Sequence, residues 1–324
     1  MKAAVYPRSG PSNVVQVTDV EKPVPQDNEV LIKVRAASLN PLDYHLLRHP
    51  FLRRVLSALS KQRITGPGRD VAGEVEAVGG NVTRFKPGDA VFGCCGGAFA
   101  EYACASQMNL AGKPENVTFE QAASVPIAGL TALQGLRDKG RIQPGQKVLI
   151  NGAAGGVGTF AVQVAKSLGA HVTGICSTRN LEMVRSIGAD HAIDYTQEDV
   201  TQSGQLYDLF FDLVANHSFS ARRRMLTPKG IYIGAGILGG SPSVLGLLAS
   251  SLVELVSAPF VSQKFVSFMA KINQEDLARI GELMSSGKVT PVIDRRYPLN
   301  ELPDALRYLE EKHARGKVVI SFGT

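Results

Sequence analysis

Glycines stand at close spacing in "NGAAGGVG", residues 151–158, between an apolar run and a helical pattern. The offsets of a G-x-G-x-x-G loop fall on Ala153, Gly155 and Gly158, so alanine takes the first place. A glycine at 155 lets the backbone approach a pyrophosphate, and one at 158 lets the helix pack tightly on the strand. The free amides of a helix N-terminus attract phosphate. We therefore predict a dinucleotide site here, against the alternative of a glycine turn that binds no ligand.

The segment "ICSTRN", residues 175–180, contains no acid. In a dinucleotide-binding fold, the strand that ends about 20 residues after the glycines usually carries an Asp or Glu that holds the adenosine ribose. Ser177 and Arg179 offer the opposite chemistry, because a hydroxyl donates to a phosphate and a guanidinium pairs with it. The segment predicts NADPH rather than NADH. Tyr195, in "HAIDY", is predicted to close over the same phosphate; the alternatives are a solvated Arg179 and a packed Tyr195 ring.

Strands and helices alternate from Lys147 onward, which predicts a parallel sheet with helices on both faces. Residues 1–120 favour short strands with glycine and proline turns, as in a small, partly open β-barrel. Thr118 and Gln121 are spaced as a capping box at the start of a helix. The tail returns to strand character. We predict three segments: a β-rich catalytic domain over 1–122, a nucleotide-binding domain over 123–288, and a return to the first domain over 289–324.

Composition argues against several classes of protein. The chain has 324 residues, of which 44% are hydrophobic and 20% charged, as in a globular protein with a sizeable core. Four cysteines at no zinc-like spacing are too few for a disulfide scaffold and favour a reducing, cytoplasmic setting. The net charge of +6 is scattered rather than gathered into a basic stripe, so we expect no nucleic-acid partner. No signal peptide or uninterrupted apolar span is visible, and we expect no stable membrane insertion.

Several motifs together resemble one known family. They include "NPLD" at 40–43, "GRDVAGEVEAVG" at 68–79, the glycine loop and "HARGKVVI" at 313–320. This order is similar to the zinc-free quinone oxidoreductase branch of the medium-chain dehydrogenase/reductase superfamily. "GKVTPVI" at 287–293 and "HARGKVVI" resemble the group of the reticulon-interacting mitochondrial oxidoreductase and the chloroplast-envelope quinone oxidoreductase. The resemblance implies a GroES-like catalytic domain, a Rossmann domain, and an enzyme that uses NADPH to reduce quinones or α,β-unsaturated carbonyl compounds.

The resemblance also implies individual site residues. It assigns nucleotide contacts to Asn40, Thr131, Ala154, Gly155, Gly156, Val157, Ser177, Arg179, Asn180, Tyr195, Gly234, Ala235, Gly236, Arg315, Gly316 and Lys317. Asn180 stands where several relatives carry a phosphate-binding lysine, which puts more weight on Arg179. Arg315 and Lys317 are expected at the phosphates of the cofactor.

The loop "ASLNPLD", residues 37–43, is where the resemblance predicts whether the protein binds a metal and which residues are catalytic. Zinc alcohol dehydrogenases of this superfamily place a cysteine ligand there, and this chain has none. We therefore expect no metal and a conjugated, already electrophilic acceptor that needs no Lewis acid. Asn40 and Tyr44 are the candidate catalytic residues, as proton donor or carbonyl-orienting group. For Tyr44, packing in the wall of the substrate site is the alternative.

Alternative functions remain open on the sequence alone. One is an enoyl reductase that acts on an acyl thioester, and another is a nucleotide-binding regulatory protein with little turnover. The apolar-rich segments 50–63 and 238–260 are expected to form walls of the substrate site or to pack against other helices or a dimer partner, in preference to a membrane surface. We expect a homodimer that acts on a small lipophilic quinone or enone.

Overall fold

The computed structural model describes residues 1–6, 10–49, 66–235, 262–311 and 314–323. The chain divides into two compact units. The first comprises Met1–Leu130, Ile272–Gly287 and Pro291–Thr324, and the second comprises Thr131–Lys271 and Lys288–Thr290. Both segments whose roles were left open, 50–63 and 238–260, lie outside the described residues.

The first unit begins with short strands that mostly pair antiparallel. Its strands before the second unit are β1 (Lys2–Val5), β2 (Gln16–Asp19), β3 (Glu29–Ser38), β4 (Asp70–Val78), β5 (Ala90–Cys94), β6 (Tyr102–Ser106) and β7 (Leu110–Gly112). Its helices are α1 (Pro41–Arg48), α2 (Phe119–Ala123) and α3 (Pro126–Gln134), the last of which ends in the second unit. The predicted capping box is confirmed, because Thr118 and Gln121 exchange hydrogen bonds at the start of α2.

The second unit is a six-stranded parallel sheet with helical connections, as predicted. Its elements are β8 (Lys147–Asn151), α4 (Gly156–Ser167), β9 (His171–Cys176), α5 (Leu181–Ser186), β10 (His191–Asp194), β11 (Tyr207–Asp212), α6 (Phe219–Arg224), β12 (Leu226–Ala235) and β13 (Lys264–Phe268). A π-helical turn, Gly135–Lys139, follows α3 directly. The strand order is β10-β9-β8-β11-β12-β13, so the chain reverses its direction of growth between β8 and β11. In open sheets of this kind, ligands bind outside the carboxyl ends of the strands at that reversal.

The chain returns to the first unit after β13. The returning elements are α7 (Gln274–Ser285), β14 (Ile293–Pro298), α8 (Leu302–Glu310) and β15 (Lys317–Ser321). Residues 123–130 and α7 were predicted to lie in the nucleotide-binding domain. The contacts instead place them in the first unit, where Gly281 of α7 lies against Phe92 of β5.

The last strand of the chain lies inside the sheet of the first unit. The sheet order is β14-β15-β3-β4-β5-β7, with β6 also paired to β3. Gly316, just before β15, has a φ of +88°, and a Cβ there would lie 2.3 Å from the carbonyl oxygen of Val292. Only glycine fits this position, and its placement starts β15 beside β14, after which β15 pairs with β3 from Val319 onward. The last residues of the sequence thereby reach the loop that follows β3.

Each unit has its own apolar core. In the first unit, inward residues of β3 such as Val30, Ile32 and Val34 pack with Leu302 of α8 and Ile320 of β15. In the second, Leu149, Ile175 and Phe210 form the centre of a cluster beneath the parallel sheet. Among the helices that the structure describes, none has both the length and the apolar character needed to cross a bilayer.

Gly73 provides a test of how closely β3 and β4 approach. A Cβ at this position would lie 2.2 Å from the carbonyl oxygen of Lys33 and 2.8 Å from Cγ2 of Ile32. We expect Gly73→Ala to lower the melting temperature, because overpacking of this kind costs about 1–3 kcal/mol. The matched control is Gly80→Ala, whose Cβ would meet no atom within 4 Å. Equal melting temperatures for the two variants would contradict the close approach.

Candidate functional site

The glycine loop of the second unit joins β8 to α4 at the carboxyl edge of the sheet. Gly152 has a φ of +84°, and a Cβ at Gly158 would lie 2.1 Å from the Gly152 carbonyl oxygen. These two glycines are therefore required by the protein's own backbone. Gly155 differs, because its Cβ would meet only one atom within 4 Å, the Gly152 oxygen at 3.4 Å. Packing does not require a glycine at 155, whereas the approach of a ligand's pyrophosphate would.

The N-terminus of α4 is suited to an anion. Gly155 is its N-cap residue and supplies no side-chain hydrogen bond, and no acid stands in the first turn. The amides of that turn and the positive end of the helix dipole favour negative charge. The predicted contacts Ala154, Gly155, Gly156 and Val157 all lie in this turn or directly before it. These residues fit the phosphates of a dinucleotide.

Ser177, Arg179 and Asn180 follow the end of β9, as predicted. Asn180 is 7% exposed, and its Nδ2 donates to Oγ of Ser177 over 3.0 Å. Because the Ser177 oxygen already accepts this bond, its own proton remains available to a further acceptor. The Oδ1 atom of Asn180 is buried and has no hydrogen-bond partner. Arg179 is exposed. The group therefore presents a hydroxyl donor and a guanidinium where a nucleotide-binding strand more often ends in an acid.

Asp194 ends β10, beside Cys176 at the end of β9, and it was not predicted as a site residue. Its carboxylate is buried and accepts from Oγ1 of Thr178 at 2.5 Å and Oγ1 of Thr196 at 2.7 Å. The bond from the Thr178 hydroxyl lowers the pKa of Asp194 most, although burial opposes it. Asp194 therefore lies at the end of β10, one strand away from the end of β9 where a ribose-binding acid usually stands. It accepts hydrogen bonds from two threonines instead.

Tyr195 lies beside this group. Its amide donates to the carbonyl oxygen of Cys176 over 3.1 Å, and its side chain is 63% exposed. The ring therefore extends from the same edge of the sheet as Ser177 rather than packing in the core. This placement allows the predicted contact with the phosphate.

Asp212 organises the other half of the carboxyl edge. It ends β11, it is buried, and its carboxylate accepts from Nδ2 of Asn151 at 2.9 Å and from the Tyr232 hydroxyl at 3.0 Å. The amides of Val214 and Ala215 also donate to it, at 3.0 and 2.9 Å. The loop after β11 is thereby held beside Gly152, whose Cβ would lie 3.0 Å from Cγ2 of Val214.

The remaining predicted contacts of the second unit lie at other elements. Gly234 pairs with Asp212, and Ala235 ends β12, so both lie at the carboxyl edge. Gly236 lies outside the described residues. Thr131 lies in α3 and is the first residue of the second unit. The structure therefore brings the glycine loop, Ser177, Tyr195 and Gly234 to one edge of one sheet.

The first unit contains a second polar group, which is centred on Asp70 at the start of β4. Asp70 is fully buried. Its Oδ2 accepts from Oγ of Ser38 at 3.0 Å, Nδ2 of Asn40 at 2.9 Å and Nζ of Lys317 at 3.3 Å. Its Oδ1 accepts from the amide of Ile127 at 3.0 Å and from Sγ of Cys94 at 3.6 Å. Of these residues, only Asn40 and Lys317 were predicted as site residues.

Lys317 has different partners from those the resemblance implies. Its side chain is only 3% exposed, and its ammonium donates to Oδ1 of Asn40 at 2.7 Å as well as to Asp70. Arg315, in contrast, is exposed, and its amide donates to Asp294 over 2.9 Å. The phosphate contacts expected of both residues stay a prediction: Arg315 is accessible to a ligand, whereas the charge of Lys317 is already paired inside the unit.

Asp43 and Tyr44 lie in α1, which begins at Asn40. Asp43 is buried and accepts from the amide of Asn40 over 2.7 Å. Burial raises the pKa of the Asp43 carboxyl from 3.8 to about 7; the Asn40 amide opposes the rise, the charge of Asp70 adds to it, and the charge of Lys317 opposes it. Deprotonation of Asp43 therefore costs stability, which falls as the pH rises towards and through about 7.

Tyr44 is half-buried and packs on the core of the first unit, with its ring 4.3 Å from that of His45. Burial raises the pKa of its hydroxyl above 10.0, so the group is protonated and able to donate at neutral pH. The packing agrees with the alternative that Tyr44 lines a wall, and the protonation state agrees with the role of a donor.

No metal centre is found in the part of the chain that the structure describes: its His, Cys, Asp and Glu residues form no group of three or more that could hold an ion. In the loop where zinc alcohol dehydrogenases place a cysteine ligand, residues 37–43, Asn40 binds Lys317 and Asp70. An ammonium beside this position disfavours a second cation there.

Three site residues that the sequence analysis missed share one signal. Asp194 and Asp212 each end an apolar strand, in "AID" and "FFD", and Asp70 begins one, in "GRD". An acid at either terminus of a buried strand must find donors within the protein. That position could have marked all three as centres of polar networks.

Comparison with known proteins agrees with this architecture. Residues 26–115 match the alcohol dehydrogenase GroES-like domain, and residues 187–320 match the family described as zinc-binding dehydrogenase. The chain is 35% identical over 317 residues to the chloroplast envelope quinone oxidoreductase homolog of Arabidopsis thaliana, covering 93% of this chain and 92% of that protein. It is 34% identical to the chloroplastic NADPH-dependent alkenal/one oxidoreductase of the same organism, covering 99% and 79%. The solved quinone oxidoreductase of Coxiella burnetii superposes with a TM-score of 0.87 at 32% identity, covering 100% and 99%.

A GroES-like unit combined with a Rossmann sheet and its glycine loop defines a medium-chain dehydrogenase/reductase. The chain belongs to the quinone oxidoreductase branch of that superfamily, as the resemblance predicted.

The group after β9 makes a testable prediction on cofactor choice. We expect Arg179→Ala to weaken NADPH binding by about 1.5–3 kcal/mol, the range for a hydrogen bond to a charged group, and to leave NADH binding nearly unchanged. Titration of each cofactor with the purified protein measures both dissociation constants. The control is Arg224→Ala, which removes an exposed arginine of α6. A similar loss for NADPH and NADH would contradict the assignment of Arg179 to the 2′-phosphate.

Proposed function

We propose that this protein is an NADPH-dependent oxidoreductase that reduces quinones or α,β-unsaturated carbonyl compounds. The observation that carries the proposal is the group after β9, where Ser177 keeps a proton to donate and Arg179 supplies a cation. Together with the uncapped N-terminus of α4, it fits the two phosphate positions of this cofactor. The names of the quinone and alkenal/one oxidoreductase relatives support the same chemistry.

We propose which residues would hold each part of the cofactor. The turn Ala154–Val157 would bind the pyrophosphate, and Ser177, Arg179, Asn180 and Tyr195 would bind the adenosine end. Thr131, Gly234, Ala235 and Gly236 would hold the nicotinamide half, and we assign Arg315 and Gly316 to phosphate contacts. When bound, the nicotinamide supplies a hydride.

The acceptor would be held by the first unit. Asn40 has one amide proton beyond the one it donates to Asp70, and we assign this proton to the carbonyl oxygen of the quinone or enone. A donor at that oxygen stabilises the negative charge that develops on it during reduction. Tyr44, whose hydroxyl is protonated, is the proposed proton donor. Because a conjugated acceptor is already electrophilic, we propose that zinc is not required.

The two alternative functions, an enoyl reductase acting on an acyl thioester and a nucleotide-binding regulatory protein, gain no support from the described residues. The basic segment within 50–63, on which an acyl-thioester substrate would depend, lies outside the described residues.

For the cellular location, we propose a reducing compartment, the cytoplasm, because all four cysteines are free thiols. Two relatives have names that place them in the chloroplast, so cell fractionation must distinguish the cytoplasm from an organelle.

We also propose a homodimer that forms through β13. This strand ends the six-stranded sheet and, among the described residues, pairs only with β12. Phe265, Val266 and Phe268 are half-buried there. A second copy paired along β13 would supply hydrogen-bond partners to the unpaired backbone groups of this edge strand and cover these side chains.

We expect sedimentation equilibrium to give twice the chain mass of 34.6 kDa, and Val266→Asp to lower the measured mass towards that of a single chain. Ser267→Asp, at an exposed position, is the control, and a monomeric native chain would refute the proposal.

The activity is tested by the loss of NADPH absorbance with a quinone, an enone and a saturated ketone as acceptors. We expect turnover with the first two and little with the third, with no change on addition of a chelator and no stoichiometric zinc in elemental analysis. Gly155→Val should abolish NADPH binding at nearly unchanged melting temperature, because a Cβ there would meet only one atom within 4 Å, the Gly152 oxygen at 3.4 Å. Turnover that depends on zinc, or full activity of Gly155→Val, would contradict the proposed site.

A further inference from the structure

Lys317 is the most unusual buried group in the first unit. It begins β15, and the residues after it, Val318, Val319 and Ile320, are all fully buried and apolar. An apolar residue of similar volume at 317 would avoid the cost of removing an ammonium from water, and buried ion pairs often stabilise no better than such a residue. The presence of a cation here therefore calls for an explanation other than stability.

The distances indicate which partner the cation serves. Nζ of Lys317 lies 2.7 Å from Oδ1 of Asn40 but 3.3 Å from the nearer carboxylate oxygen of Asp70. A cation placed only to neutralise Asp70 would lie closest to the carboxylate. The closer contact goes instead to a neutral amide oxygen, so the ammonium is directed at Asn40.

Lys317 and Asp70 together leave the Asn40 amide one orientation. Lysine only donates, and an ionised aspartate only accepts. Oδ1 of Asn40 faces the donor and Nδ2 faces the acceptor, at 2.7 and 2.9 Å. Rotation of the amide by half a turn would set an N–H against the ammonium and an oxygen against the carboxylate. The backbone of Asn40 is held as well, because its amide donates to Asp43.

We propose that Lys317 and Asp70 form a clamp that fixes the side-chain amide of Asn40, so that its remaining N–H points in one direction for the acceptor's carbonyl oxygen. Lys317 is then a positioning residue for the reaction and not a ligand of the cofactor's phosphates. This inference rests on the proposed function of Asn40. Preorganised donors stabilise developing charge because they need no reorganisation during the reaction.

The experiment is a double-mutant cycle on Asn40→Ala and Lys317→Met, with turnover measured at saturating NADPH and quinone. We expect Asn40→Ala to lower kcat, and Lys317→Met alone to lower kcat by at least about tenfold. The double variant should lose no more than Asn40→Ala alone, because Lys317 acts through that amide. Losses that simply add would overturn the clamp, as would an unchanged kcat in Lys317→Met.

NADPH affinity separates the clamp from phosphate binding. We expect the dissociation constant of Lys317→Met to stay within about twofold of the native value, with the same dependence on salt, because charge pairing with a phosphate would be screened by ions. Weaker binding with a shallower salt dependence would make Lys317 a phosphate ligand and refute the proposal. Lys33→Met, which removes an exposed lysine of β3, is the matched control and should change neither quantity.

A folding defect is handled by a second variant. Lys317→Met leaves the Asp70 charge buried without its cation, so Asp70→Asn with Lys317→Met removes both charges together. If the single variant fails to fold, a low kcat with native NADPH affinity in this charge-free variant supports the clamp, and a native kcat overturns it. Failure of the proposed function looks different: Asn40→Ala would then keep full turnover, or the native protein would reduce neither quinone nor enone.

Discussion

The carboxylate of Asp70 is the interaction on which the polar interior of the first unit depends. It receives donors from the end of β3, the start of α1, the end of β5, the first turn of α3 and the start of β15, through Ser38, Asn40, Cys94, Ile127 and Lys317. A buried charge without donors would be unstable, so these elements must come together around it. The same constraint fixes a side chain, Asn40, that can hold a substrate oxygen.

The second unit solves the corresponding problem with two acids at strand ends. Asp212 fixes the loop after β11, and Asp194 holds Thr178 and Thr196 beside the end of β9. Each is satisfied by donors of the protein, so the carboxyl edge is rigid where it supports the site. Two other features of the same edge leave a place for a ligand: the buried Oδ1 of Asn180 has no hydrogen-bond partner, and a Cβ at Gly155 would meet only the Gly152 oxygen, at 3.4 Å. Rigid support around open positions is the arrangement expected of a preorganised binding site.

Basic residues contribute in two physically different ways. Arg179 and Arg315 are exposed, where a cation can attract a polyanionic cofactor and its contribution is screened by salt. Lys317 is buried, where its charge acts over a short distance on two fixed neighbours. Sequence motifs cannot separate these cases, because "RGK" places an exposed and a buried cation two residues apart. Arg315 lies before β15 and Lys317 begins it inside the sheet, with the left-handed turn at Gly316 between them, so the start of the strand decides which cation enters the interior.

Sequence alone was enough to predict the parallel sheet, the glycine loop after β8, the capping box of α2, the family and the polar group after β9. Each of these depends on residues close together in the chain: periodicity, turn chemistry, and the absence of an acid at the end of one strand. The network around Asp70 joins residues 38, 40, 94, 127 and 317, and only the tertiary structure decided it. The same holds for the membership of α7 in the first unit and for the partners of Lys317. The physical reason is that a buried charge is satisfied by whichever donors the fold brings within hydrogen-bond distance, and sequence separation sets no limit on those donors.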